Sequence, residues 1–180
     1  MDPWRRIGSR RLQRCRIFDL NQVRFDPPDS RPARDFWVIE APDWINVIPL
    51  TAQGDVLFVR QFRFGTEDFT LEVPGGMCDP GETPLAAARR ELLEETGFEA
   101  QEVVELGWVH PNPAVQTNRC HSFLARNVIR VADPTPDPNE EFEQVSVPLV
   151  EVARLIAERR ITHSLVIAAF HFLDVHKTLP

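Results

Sequence analysis

Between Gly76 and Phe98 the chain carries Glu82, Arg90, Glu91, Glu94 and Glu95 on a turn and the segment that follows it. Thr83 is a good helix N-cap, Pro84 suits the first helical position, and the run from Leu85 to Thr96 is rich in helix formers. Gly97 is the expected stop. At about 100° per residue, Leu85, Ala88, Leu92 and Leu93 share one arc and are expected to bury. Glu91, Glu94 and Glu95 gather on a neighbouring arc roughly 100° wide. Two carboxylates ~6 Å apart at an effective dielectric near 20 repel by roughly 3 kcal/mol, and a divalent cation offsets that repulsion. Hard oxygen ligands with no nearby Cys/His pair favour Mg²⁺ or Mn²⁺ over Zn²⁺. Because Mg²⁺ binds through few carboxylates together with phosphate oxygens, a phosphorylated substrate is expected. The plainer reading of the same residues is a solvated helix face on which Arg90 pairs with Glu94 at i,i+4.

The spacing of Gly76, Glu82, Arg90, Glu91, Glu94, Glu95 and Gly97 reproduces the signature of the Nudix hydrolases without a departure, and the chain resembles that family. The resemblance implies an α/β/α sandwich with a mixed sheet. It also implies hydrolysis of a nucleoside diphosphate linked to another moiety, with Mg²⁺ or Mn²⁺. By the same resemblance Glu91 and Glu95 are metal ligands, joined by the backbone carbonyl of Gly75, and Glu94 is a further ligand. Arg90 orients the glutamates, and Glu82 supports the loop or a second metal.

The flanking residues narrow the substrate class. Val59-Arg-Gln-Phe-Arg-Phe-Gly65 and Leu71-Glu-Val-Pro-Gly-Gly76 are similar to the lead-in segment of the ADP-ribose pyrophosphatase and nucleoside-diphosphate-sugar branch. Arg63 is then a candidate diphosphate contact, since one guanidinium can hold two phosphate oxygens. Arg60 is a second candidate, with an exposed strand-end arginine as its plainer reading. Glu72 either lies near substrate or metal, as in relatives, or pairs with an arginine. Pro113, sixteen residues beyond Gly97, resembles the placement in ADP-ribose pyrophosphatases. In the resembling branch a glutamate before the strand at Val145 comes over the metals as base; Glu140 aligns best and Glu141 is the fallback. Trp44 is a candidate platform for the nucleobase, although large aromatics in strand patterns usually pack inside. His163 receives no catalytic role; it is expected to be near the sugar or simply exposed. The alternatives carried are a GDP-mannose or general sugar-nucleotide hydrolase, and a non-catalytic ADP-ribose sensor, which would typically have lost motif carboxylates retained here.

At 180 residues with 43% hydrophobic content the chain can bury its own core. The reading is a hydrolase domain over 44–180, preceded at 1–43 by N-terminal strands or an arm that packs on the domain or on a dimer partner. Ile17, Phe18, Leu20, Val23 and Phe25 supply apolar strand material for such a surface, and relatives in this branch are homodimers. A net charge of −7 argues against general nucleic-acid binding. Arg5, Arg6, Arg10, Arg11, Arg14 and Arg16 either grip an anion or lie on the exposed side of a strand; the absence of stacking aromatics favours the strand. No apolar run is long enough for a membrane span and no signal peptide is evident, so the expected location is cytoplasmic. Cys15, Cys78 and Cys120 lack CxxC spacing and read as reduced thiols.

The elements that must position these groups follow from the apolar and β-branched runs. Strands are expected at Phe36 to Ile39, Trp44 to Leu50, Val56 to Phe62, Phe69 to Val73, Val103 to Val109, Cys120 to Leu124 and Gln144 to Val147. Turns are expected at Asp26 to Asp29, Gln53 to Asp55 and Pro74 to Gly76. Leu149, Val152, Leu155 and Ile156 predict an amphipathic helix, and Thr162 is expected to cap a last helix from His163 to about Lys177.

Overall fold

The structure, a computed structural model, describes residues 2–135 and 141–178. The chain forms two compact units, one from residues 1–42 with 110–119, the other from 43–109 with 120–180. The first unit is built on three antiparallel strands, β1 (Arg5–Arg14), β2 (Asp19–Asp26) and β3 (Arg34–Glu40), in that order. Strand β1 is exposed along its whole length. Three of its arginines are ion-paired with β2: Arg5 with Asp26, and Arg11 and Arg14 with Asp19. Such exposed pairs contribute only ~0–1 kcal/mol each, so they set register more than stability. The 110–119 segment joins this unit through Ile39, whose N–H donates to the Val115 carbonyl at 2.7 Å.

In the second unit a mixed seven-stranded sheet runs in the order β12 (Phe142–Pro148), β5 (Asp55–Arg63), β4 (Trp44–Leu50), β10 (Cys120–Arg126), β9 (Glu102–Val109). Strand β6 (Asp68–Glu72) pairs with β5 and β7 (Gly75–Met77) with β4. Only β4 and β10 run parallel; the other pairs are antiparallel. Short strands β8 (Phe98–Glu99) and β11 (Ile129–Arg130) pair separately. Alternation along the strands divides the core in two. Ile45, Val47, Leu57, Phe123 and Ala125 pack with Ala87, Ala88 and Leu92 of helix α1 (Pro84–Thr96). Ile48, Val56, Phe58 and Leu124 pack instead with Val166, Ala169, Phe170 and Leu173 of α3 (Ser164–Thr178), joined by Val152 and Leu155 of α2 (Val152–Ala157). Each valine, leucine, isoleucine or phenylalanine so withdrawn from water contributes roughly 1.5–3 kcal/mol. The expected mixed sheet, with α1 and α3 packing on opposite faces of it, is what forms.

Three local expectations are corrected. Pro74 to Gly76 does not simply turn: Gly75, Gly76 and Met77 form β7, opposite Asn46, Ile45 and Trp44. Glycine is required because a Cβ on Gly75 would lie 2.3 Å from the Ile45 carbonyl oxygen. Leu85 is 42% exposed, because the buried arc of α1 is centred on Ala87, Ala88 and Leu92 and extends to Glu95 and Thr96 rather than back to the first turn. Helix α3 starts one residue later than expected, so the residue before it is His163, not Thr162. The His163 carbonyl accepts the first helical bond, from the Ile167 N–H at 3.1 Å, and its Nδ1 accepts the Leu165 N–H at 3.3 Å, which satisfies one of the donors that a helix start leaves over.

Candidate active site

Helix α1 begins and ends as its sequence requires. Thr83 sits in an extended conformation and its hydroxyl accepts the Ala86 N–H at 3.2 Å. Gly97 closes the helix at φ 73°, and a Cβ there would lie 2.2 Å from the Ala132 carbonyl oxygen, so both backbone and space demand glycine. Between these ends the acidic arc converges on Arg90. Its Nε and Nη2 donate to the two oxygens of Glu82 at 3.1 and 3.0 Å, and Nη1 donates to Glu91 at 2.8 Å and Glu94 at 3.1 Å. Nη2 also reaches the Met77 carbonyl at 3.0 Å. The bond from Arg90 holds the Glu82 carboxyl below the usual range, and the same bonds push the guanidinium pKa further up. Glu82 in turn accepts the Asp79 N–H at 2.9 Å and thereby shapes the loop before the helix. Glu95 lies on the buried side, 5% exposed, and its Oε2 accepts the Gly75 N–H at 3.1 Å.

The structure therefore brings Gly75, Glu82, Arg90, Glu91, Glu94 and Glu95 together at β7 and α1. Gly76 permits the approach: a Cβ there would overlap Glu91 Oε1 at 2.2 Å. A donor set of carboxylate oxygens and a nearby strand backbone fits a hard divalent cation. Among the described residues, however, no three His, Cys, Asp or Glu side chains form a ready-made metal cage. Glu82, Glu91 and Glu94 instead turn oxygens toward Arg90. A bound cation and Arg90 would compete for the same oxygens.

Across the β5–β6 hairpin lies a second charged group. Arg63 grips Glu72 with two parallel bonds, Nε to Oε1 at 2.7 Å and Nη2 to Oε2 at 2.8 Å. Glu72 is 5% exposed, whereas the Arg63 side chain is 44% exposed. The Thr70 hydroxyl donates to Glu72 Oε1 at 2.5 Å, and His163 Nε2 stands 3.7 Å from Oε2. Burial pushes the Glu72 carboxyl up, but the Arg63 and Thr70 hydrogen bonds and the facing His163 outweigh it, and the net displacement is downward. Of the two sequence readings for Glu72, pairing with an arginine is the contact present.

The remaining candidates make other contacts. Arg60 lies 3.4 Å from Glu143 and packs its guanidinium over the Phe69 ring, 4.1 Å from the centroid. Trp44 is half-buried at the start of β4, between Met77 and Cys120. Pro113 belongs to the first unit. Glu141 is exposed just before β12. Glu140 lies outside the described residues. On either side of it, described residues reach the end of α1: the Thr135 N–H donates to the Glu94 carbonyl at 2.8 Å, and Gln144 Nε2 donates to the Glu95 and Thr96 carbonyls at 2.9 Å each. Gln144 has no local signal in the sequence because its partners lie at the end of α1, whereas Thr70 and Glu72 share one face of β6 two positions apart. Cys78 is buried beside the site, and burial pushes its thiol up to about 11, with Glu82 and Asp43 adding in the same direction; burial takes Cys120 to about 12. These thiols stay protonated, and a reactive thiolate is not built here.

Comparison with known proteins identifies the family. The family model for the NUDIX domain matches residues 42–170. The chain is 25% identical over 174 residues to the ADP-ribose pyrophosphatase of Bacillus subtilis (strain 168), covering 96% of this chain and 94% of that protein. It is 30% identical over 134 residues to the GDP-mannose pyrophosphatase of Yersinia enterocolitica, covering 70% of each. A crystal structure of an ADP compounds hydrolase superposes with a TM-score of 0.84 at 21% identity, over 97% of this chain and 94% of that one, and this likeness speaks for the fold. The chain belongs to the Nudix family, as a pyrophosphohydrolase. No helix among the described residues is long and apolar enough to cross a membrane.

Proposed function

We propose that this chain hydrolyses the diphosphate bond of ADP-ribose and related nucleoside diphosphate sugars, giving a nucleoside monophosphate and a sugar phosphate. The observation that carries the reading is the convergence of Glu82, Glu91 and Glu94 on Arg90, with Glu95 beside them on the Gly75 N–H. In this reading Glu91, Glu95 and Glu94, with the Gly75 carbonyl, would hold Mg²⁺ or Mn²⁺, with Glu82 supporting the loop. A bound divalent ion supplies charge neutralisation on the diphosphate and a water of lowered pKa. Arg90 keeps mutually repelling carboxylates aligned on one helix face, and Glu95 fixes Gly75 by its N–H. In the same reading Arg63 meets the diphosphate, Trp44 stacks on the nucleobase, and Arg60 is a further substrate contact. Glu140, or failing it Glu141, takes the proton of the attacking water.

The retained carboxylates favour turnover over a sensor that only binds. Identity to a GDP-mannose pyrophosphatase supports a second substrate reading. Purified protein incubated with ADP-ribose, GDP-mannose and other sugar nucleotides, with and without Mg²⁺, distinguishes them by chromatography of the products. Metal-independent turnover, or no turnover of any sugar nucleotide, would refute the reading. We further propose residues 44–180 as the hydrolase domain and pairing of two copies through the N-terminal strands. Exposed Ile7, Leu12, Ile17 and Trp37 in the first unit support the pairing. Sedimentation showing a monomer at working concentration would refute it.

A further inference from the structure

Glu72 is an unusual acid: almost fully buried, in a strand, and paired there with an arginine. An ionised carboxylate withdrawn from water is unfavourable unless its oxygens are occupied by donors. Here both are: Oε1 accepts from Arg63 Nε and from the Thr70 hydroxyl, and Oε2 accepts from Arg63 Nη2, with His163 Nε2 3.7 Å away. Three elements supply these partners: β5, β6 and the start of α3. The carboxylate is therefore immobile, and it is the shorter, buried member of the pair. Arg63 is the long, half-exposed member, a side chain that loses much rotamer freedom when held in one geometry. The fork–fork arrangement engages the Nε side of the guanidinium and so determines the direction of its Nη1–Nη2 edge.

We propose that Glu72 is a positioning residue that acts through Arg63: the buried carboxylate, braced by Thr70 and His163, presents the guanidinium in one orientation to an anionic diphosphate. This inference rests on the reading of Arg63 as the diphosphate contact. It removes Glu72 from the set of groups that touch substrate or metal and assigns it, with Thr70 and His163, to the support of one arginine. Pre-orienting the fork lowers the ordering cost of binding without altering the chemical step. The expected signature is a change in KM with kcat nearly preserved.

Steady-state kinetics with ADP-ribose and Mg²⁺ on wild type, Glu72→Gln, Arg63→Lys and the double variant test it, with thermal melts confirming that each is folded. Gln preserves volume but offers an amide NH₂ to the guanidinium, so the fork is released. Both single variants should raise KM about 10- to 100-fold with kcat within about threefold, and the double variant should be no worse than Arg63→Lys alone. Thr70→Val leaves both charges in place and should raise KM in the same direction by a smaller factor, on the Arg63 background only. An unchanged KM for Arg63→Lys would sink the diphosphate reading itself. A raised KM for Arg63→Lys with multiplicative effects in the double variant, or with Glu72→Gln at the wild-type KM, would leave that reading standing and overturn the positioning role. Should Glu72→Gln fail to fold, Thr70→Val decides the same question: an unchanged KM, or an equal effect with and without Arg63, overturns it.

Discussion

Two arginines hold carboxylates in the second unit, and they do so in opposite ways. Arg90 lies along a helix edge and spreads one guanidinium over Glu82, Glu91 and Glu94. Arg63 commits one whole side of its guanidinium to a single carboxylate, Glu72. The difference is one of residual charge and of burial. Three carboxylates against one cation leave the α1 group net negative, so it retains an attraction for further positive charge. The Arg63–Glu72 pair is neutral as a whole, and because its acid is the buried partner the cationic end is the one offered outward. The first arrangement suits gathering a metal ion; the second suits holding an anion in a chosen orientation.

The sharpest way to break this contrast is to remove the proposed base. Glu140→Gln is expected to lower kcat by roughly 10²–10⁴-fold while ADP-ribose binding stays nearly intact, and Glu141→Gln to do far less. Kinetics of both variants decide between them; a severe loss at Glu141 alone would reverse the assignment. Next comes Glu95→Gln, expected to reduce kcat by about a hundredfold and to weaken Mn²⁺ binding measured by calorimetry, with the fold preserved. Near-normal turnover with bound metal would remove Glu95 from the site.

Arg90→Lys should be milder, because lysine retains the charge but cannot bridge three carboxylates. Activity is expected to fall about tenfold, and stability should fall in a pH-dependent way. Arg90 depresses the folded-state pKa of Glu82. Its contribution is thus fully present above the unfolded carboxyl value of about 4.5 and is lost as pH falls through the lower folded value. Denaturant titrations at neutral and acid pH should show the gap between wild type and variant narrowing as pH drops below that range. A gap independent of pH would mean that Arg90 stabilises by packing alone. The smallest effect belongs to the scaffold: Thr83→Ala should cost about 1 kcal/mol, a shift in Tm of roughly 2–4 °C, with KM and kcat unchanged. A kinetic defect there would show that the start of α1 and the acidic arc are not separable.

Much of the α1 region was legible in the chain itself. Thr83, Pro84 and Gly97 mark the helix ends through interactions within four residues, and the carboxylates share an arc because helical geometry is set by the backbone alone. The seven strand runs were legible for a similar reason, since alternation of apolar residues reports burial on two faces. Local signals failed where distant chain decided. Gly75 to Met77 became a strand because β4 lay beside it. Leu85 stayed exposed because the sheet meets α1 further along.

The sequence by itself determined the family, the helix that carries the acids, and which side chains can serve as hard ligands, because all of these rest on residue type and short-range spacing. Only the tertiary structure decided how those charges are shared. Arg63 and Glu72 are nine positions apart on opposing strands, Gln144 reaches carbonyls 48 and 49 positions away, and His163 meets Glu72 from the start of the last helix. Hydrogen bonds and ion pairs depend on distances of a few ångströms. Contacts between residues that lie far apart in the chain come within that range only when the sheet and the helices have been assembled.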